Sequence, residues 1–281
     1  MSRICFIIIA HKNYNQTMRL INHLKTDFDL YVHIDKKSKL NIKSFDNVYI
    51  YKKYSVYYGG FSQITTTLYL MKEAFKNNYD RYIFISAQDI PLKTNKEINE
   101  FFKNKINKEF ISYQDVEADE NMYKEMCHRF NTYNLGPLYR KCLHAKVRVF
   151  ISNIPFLKRE MPKNIYYGSS WWNLTNNAIK YILEYIEKNP NFLKRFNYTW
   201  CGDEMFFQSI LLNSEFKNDC INDNLRYIDW SEKKGSSPKT FNINDYNIIK
   251  ENINNNLFAR KFDENFDNDI INKLYKDLEV K

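Results

Sequence analysis

The chain opens on an apolar run over 4–10, the pattern of a strand buried on both faces. Residues 15–25 switch to helical spacing, with Met18, Ile21 and Leu24 on one side. The alternation then repeats. Strands are predicted over 30–35, 47–51, 81–86 and 109–113, with helices over 61–76 and 95–105 between them. In the 61–76 helix, Ile64, Leu68, Met71 and Phe75 form the buried stripe. Repetition of strand and helix predicts an α/β fold with a mostly parallel sheet covered by helices. Ligands of such sheets bind outside the carboxyl ends of the strands. The polar residues at those ends are His11, Asp35 and Asp89.

The second half is less regular. It reads as a strand over 166–174 entering a helix at Thr175, a helix over 203–212, a strand over 225–230, and closing helices over 245–254 and 265–278. No repeat and no linker divides the chain, so a single domain over 1–281 is expected.

Composition changes this picture little. The 281 residues are 44% hydrophobic, enough for a sizeable core, and include 22 Tyr and 21 Phe. Tyrosine suits sugar-binding surfaces, although biased codon usage explains the same excess. The net charge of +9 is compatible with nucleic acid, an anionic membrane or a phosphorylated ligand. Five cysteines without a CxxC pair argue against a disulfide framework or a zinc site. The first apolar run is too short to span a membrane and lacks a cleavage site, so a soluble, cytoplasmic protein is expected. Residues 139–163 are basic and apolar together; contact with the inner face of an anionic membrane and an ordinary solvated surface both fit that pattern.

Four segments can carry chemistry. In Ser86-Ala87-Gln88-Asp89-Ile90-Pro91-Leu92 an acid follows a strand, where it can hold a ribose, a sugar hydroxyl or a metal, or simply cap a turn before a proline that ends the sheet. Asp35, before Lys36 and Lys37, has the same two readings. In Gly202-Asp203-Glu204 the acids fall in a first helical turn, bordering a cleft or merely favouring the helix dipole. Lys239, Arg260 and Lys261 lie beside aromatic or proline-stiffened backbone, where cations can offset a diphosphate charge or sit on the surface beside core rings. An Asp-x-Asp pair at a central strand end would indicate a divalent metal. Here Asp27-Phe28-Asp29 precedes a strand and Asp267-Asn268-Asp269 lies on a late polar helix, so no metal site is expected.

Taken in order, Ile9-Ala10-His11-Lys12, Val32-His33-Ile34-Asp35, Ser86 to Leu92, Gly168-Ser169-Ser170-Trp171-Trp172, Asp203-Glu204, Ser237-Pro238-Lys239-Thr240-Phe241 and Phe258-Ala259-Arg260-Lys261-Phe262 resemble the core-2/I-branching β-1,6-N-acetylglucosaminyltransferase family, which includes the peptide O-xylosyltransferases. The resemblance covers most of the chain. It implies a GT-A, Rossmann-like fold, with 1–113 as the nucleotide-binding half and 114–281 as the acceptor-binding and catalytic half. It also implies inversion at the anomeric carbon of a UDP-sugar without a metal. Glu204 falls on the general base. Lys261 and Lys239 fall on the two cations that neutralise the diphosphate, with Arg260 beside them; the Lys239 position is Arg in some members. Ala10, His11, Asp35 and Asp89 fall on the nucleotide side, and Trp171, Trp230 and Asp203 on the sugar and acceptor side. Without the animal enzymes' N-terminal anchor or disulfides, the chain resembles a bacterial relative acting in surface polysaccharide or glycan synthesis. The xylosyltransferases carry an Asp where Ser170 stands, so N-acetylglucosamine is the expected sugar, xylose or another hexose the alternative, and a glycan or lipid-linked glycan the acceptor. A nucleic-acid-binding protein is the rival class. Scattered basic residues and the lack of a recognised motif count against it, and no nucleic-acid partner is expected.

Overall fold

A computed structural model describes residues 3–135, 150–152, 154–232 and 237–279. Its strands are β1 (Ile4–Ala10), β2 (Asp29–Ile34), β3 (Val48–Tyr51), β4 (Arg81–Ser86), β5 (Asp89–Pro91), β6 (Glu109–Ile111), β7 (Gln114–Asp115), β8 (Tyr166–Tyr167), β9 (Trp172–Thr175), β10 (Cys220–Ile221), β11 (Arg226–Ile228) and β12 (Phe258–Arg260). Seven of them form the central sheet in the order β10-β6-β9-β4-β1-β2-β3. Its pairings are parallel except where β9 runs antiparallel between β4 and β6. The fold is therefore α/β with a mostly parallel sheet, and both halves of the chain contribute strands to it.

The unbroken apolar run of β1 has the expected cause. Cys5 and Ile7 pack into one core layer with Ile64, Leu68 and Met71 of the Ser62–Phe75 helix. Ile4, Phe6 and Ile8 pack into the opposite layer with Leu20, Ile21 and Leu24 of the Tyr14–Leu24 helix. Every position but the half-buried Ile9 is buried because both faces are covered.

One strand expectation differs in kind from the structure. The predicted strand over 166–174 is two strands: β8 pairs with β7, and β9 enters the central sheet. Between them Gly168 passes so close to the Ser112 carbonyl that a Cβ would lie 1.9 Å from its oxygen, so only glycine fits without a shift of backbone. Pro91 ends sheet structure as expected, but as the last residue of a separate strand, β5. β5 turns into a second sheet, β11-β12-β5, where Arg260 lies opposite Asp89. This small sheet rests on a third core with Ile270, Ile271 and Leu274 of the Asn268–Glu279 helix. It carries residues from the end of the chain to the carboxyl edge of the central sheet.

Among the described residues, no helix is long and apolar enough to cross a membrane. About half of the basic stretch over 139–163, namely 139–149 and 153, lies outside the described residues, and that part of the membrane-contact expectation lies there too. Arg159, read from sequence as part of that basic surface, is buried. It donates to the Arg195 carbonyl (2.5 Å) and to Thr199 Oγ1 (3.1 Å), beside the rings of Tyr133 and Tyr198.

Candidate active site

A cavity of about 670 Å³ opens at the carboxyl edge of the central sheet. Its floor is made by the ends of three strands. Ala10 ends β1 with His11 after it, Asp35 follows β2, and Ser86 ends β4. Asp35 is held in place by the Ala10 carbonyl, which accepts its N–H (2.8 Å), and by the Lys37 N–H, which donates to its Oδ1 (2.9 Å). His33 lies one pleat below. Burial pushes its imidazole down to about 4, so the ring is neutral at physiological pH, and Nε2 accepts the Tyr54 N–H (3.0 Å).

One wall is the start of the Asp203–Leu212 helix. Asp203 is buried, and its Oδ2 accepts from Ser170 Oγ (2.6 Å) and Gln63 Nε2 (3.2 Å). Glu204 borders the cavity, and its backbone carbonyl accepts the Gly168 N–H (2.8 Å), tying the Gly-Ser segment to this helix. Burial, reinforced by the neighbouring Asp203 charge, pushes the Glu204 carboxyl up to about 7. Arg129 opposes that shift from the Glu120–Asn131 helix, donating to Glu204 Oε2 at 2.9 Å. A carboxylate poised near neutrality can take a proton in one step and release it in the next.

The opposite wall is cationic. Arg260 donates to Ser86 Oγ (2.5 Å) and Asp89 Oδ1 (3.1 Å), and its guanidinium lies 4.5 Å from the centre of the Trp171 ring. Lys261 follows it into the cavity. Burial lowers its ammonium, and the nearby Arg260 charge adds to that shift. Among the described residues no ion pair of Lys261 falls within 4.0 Å, so its charge remains available to a ligand. Trp230 stands at the rim, 61% exposed.

The fold thus brings nine of the sequence-derived candidates to one cavity: Ala10, His11, Asp35, Trp171, Asp203, Glu204, Trp230, Arg260 and Lys261. Two others are placed differently. Asp89 does not line the cavity; it is buried behind Arg260 and also accepts the Ser86 N–H (2.6 Å), so it anchors a cation instead of meeting a nucleotide directly. Lys239 points elsewhere, its ammonium 2.6 Å from Asp245 and 4.0 Å from Asp229, although Ser237 and Pro238 beside it do line the cavity. Arg129 was not anticipated. Its signals were present in the Asp119 N-cap, the Glu125–Arg129 spacing of four, and the buried pair Met126 and Phe130. Among the described residues no cluster of His, Cys, Asp and Glu is arranged to hold a metal.

The family described as Core-2/I-Branching enzyme matches residues 4–255, nearly the whole chain. The chain belongs to the Core-2/I-Branching enzyme family. Among curated relatives it is 24% identical to Xylosyltransferase 1 of Rattus norvegicus over 97% of this chain and 35% of the relative. It is 24% identical to Xylosyltransferase 1 of Homo sapiens over 97% of this chain and 30% of the relative. It is 23% identical to Xylosyltransferase 2 of Rattus norvegicus, over 96% and 33% respectively. The chain thus spans about a third of the length of these relatives. Among solved structures, mouse xyloside xylosyltransferase 1 in its apo form covers 91% of this chain at 11% identity, with 97% of its own chain covered and a TM-score of 0.37. A putative glucose-1-phosphate thymidylyltransferase from Bacillus anthracis, in complex with a sucrose, covers 70% of this chain and 85% of its own at 18% identity, with a TM-score of 0.32. Both structural likenesses are too distant to bear on the site.

Proposed function

We propose that this member of the Core-2/I-Branching enzyme family is an inverting glycosyltransferase that uses a UDP-sugar and needs no metal ion. One observation carries the reading: a single cavity sets a glutamate poised near neutrality against two cations, Arg260 and Lys261. Family membership and the xylosyltransferase relatives support the class of reaction. Glu204 takes the proton of an acceptor hydroxyl as its oxygen bonds to the anomeric carbon. The bond from that carbon to the diphosphate oxygen breaks on the opposite face, and UDP leaves with its charge offset by Arg260 and Lys261. Metal independence is argued from this cation pair, since a guanidinium and an ammonium can meet the developing charge that a divalent ion would otherwise meet. Asp35 and His11 are assigned to the nucleoside, and Trp171 and Trp230 to the sugars. The acceptor is a glycan hydroxyl.

N-acetylglucosamine is the first donor sugar to test. Xylose is the second, since the relatives are xylosyltransferases. The site itself is tested by calorimetric titration of UDP, then of UDP-N-acetylglucosamine and UDP-xylose, in excess EDTA. UDP is expected to bind, and Lys261→Ala to weaken it by about 10- to 100-fold, the scale of one charged hydrogen bond. Lys239→Ala is expected to leave UDP affinity within about twofold, because its ammonium is already bound to Asp245. UDP binding that requires added manganese would refute the metal-free reading.

A further inference from the structure

The segment between β7 and β8 has no counterpart among the motifs of the sequence, yet it sends one charged side chain to the centre of the site. Arg129 bridges two carboxylates on separate helices. Nη1 donates to Glu204 Oε2 (2.9 Å), while Nε and Nη2 donate to Glu125 Oε1 (3.1 and 2.6 Å). The guanidinium also lies over the Tyr167 ring, 5.2 Å from its centre, and the side chain is only 15% exposed. A planar fork held on three sides has little rotational freedom left. We propose that Arg129 is a positioning residue for Glu204: held by Glu125 and Tyr167, it binds Oε2 and so leaves Oε1 to meet the acceptor hydroxyl. This rests on the reading of Glu204 as the general base.

The charges around Glu204 make the pairing chemically necessary for that role. Its own helix presents Asp203, a like charge; the Glu120–Asn131 helix presents Arg129 with Glu125 behind it; β8 presents the Tyr167 phenol. Burial and Asp203 both favour the protonated acid, which cannot accept a proton. The charge and hydrogen bond of Arg129 act in the opposite direction, with a smaller contribution from Tyr167. Without it the carboxyl would titrate well above neutrality, and the base form would be a minor species at pH 7.

The test needs no identified acceptor. In the full chain labelled with 13C-carboxyl glutamate, the Glu204 signal is assigned by its loss in Glu204→Gln and titrated by NMR. Arg129→Met is expected to raise the Glu204 midpoint by about one pH unit or more, the scale set by loss of a close opposite charge. Glu125→Gln, a change at an exposed carboxylate, is expected to lower it by roughly a few tenths of a unit, by removing the charge that competes for Arg129. Should Arg129→Met fail to fold, the downward shift in Glu125→Gln decides alone. A midpoint unmoved in the folded variants overturns the proposal. Hydrolysis of UDP-N-acetylglucosamine and UDP-xylose to UDP, followed against pH, separates the two readings. An acid limb that moves with the carboxyl supports both, and a carboxyl that moves while the limb stays fixed overturns Glu204 as the base but not the Arg129 pairing.

Discussion

The two ends of the central sheet each hold an arginine beside a glutamate, and they hold them differently. At the amino edge Arg81 opens β4 and Glu109 opens β6, 3.9 Å apart and each side chain 2% exposed. Both oxygens of the glutamate are bound there, although Arg81 Nε is buried without a partner among the described residues. Glu109 accepts the Thr175 N–H (2.8 Å) on Oε2 and the Thr175 hydroxyl (2.5 Å) on Oε1. Arg81 donates to the carbonyls of Lys108 (2.6 Å), Lys105 (2.9 Å) and Asn173 (3.1 Å). At the carboxyl edge Glu204 gives Oε2 to Arg129 and faces a cavity with the rest of the group. Burial raises both glutamates. What separates the two glutamates is their partners: both oxygens of Glu109 are bound to Thr175 in a seam between strands, whereas Glu204 lines the large cavity with Arg129 on one oxygen.

That contrast can be broken from either end. Glu204→Gln is expected to lower sugar transfer by about 10²- to 10⁴-fold, the usual contribution of a general base, while UDP binds in calorimetry as it does to the wild type. A Gln variant that transfers at near wild-type rate would remove Glu204 from the mechanism. Arg81→Met should do the reverse. It takes the charge from a buried pair and removes a donor from four carbonyls, so chemical denaturation should show a loss of about 3–5 kcal/mol with UDP affinity unchanged in the folded fraction. A loss below about 1 kcal/mol would mean the amino-edge pair is not the fastener described here.

The two ends were also unequally legible in the sequence. β1 could be read because both its faces are buried and the run is therefore continuous. The Asp203–Leu212 helix could be read along its whole length because Gly202 and two acids mark its start. β5 and β12 could not be read this way, since three residues carry no period and their partners, Asp89 and Arg260, are 171 positions apart. The same distance explains Asp89. Its strand-end position was visible, but only the fold shows that its carboxylate is spent on Arg260. Lys239 illustrates the limit for charges generally. A lysine beside a proline in a family motif looks available until Asp245, six residues on, is seen to hold it. Arg129 lies at the other extreme, with a readable helix and an i, i+4 pair but no local sign that the helix ends at Glu204.

The smallest expected effect bears on Glu204 itself. Glu204 titrates at about 7 in the fold against an ordinary value of 4.5. Between those values the folded protein holds a proton that the unfolded chain has released, so each step up in pH costs stability across that window. Below it both states are protonated, and above it both are ionised, so the cost is first absent and then constant. Glu204→Gln cannot titrate and escapes this dependence, whereas the Arg81–Glu109 pair is common to both proteins and cancels. The melting temperature of the Gln variant relative to the wild type should therefore climb between about pH 4.5 and 7 and stay level on either side. A difference that does not change with pH would mean that Glu204 is as well solvated as an ordinary surface carboxylate. The two edges of the sheet would then differ in exposure alone, and not in a strained group held ready for a proton.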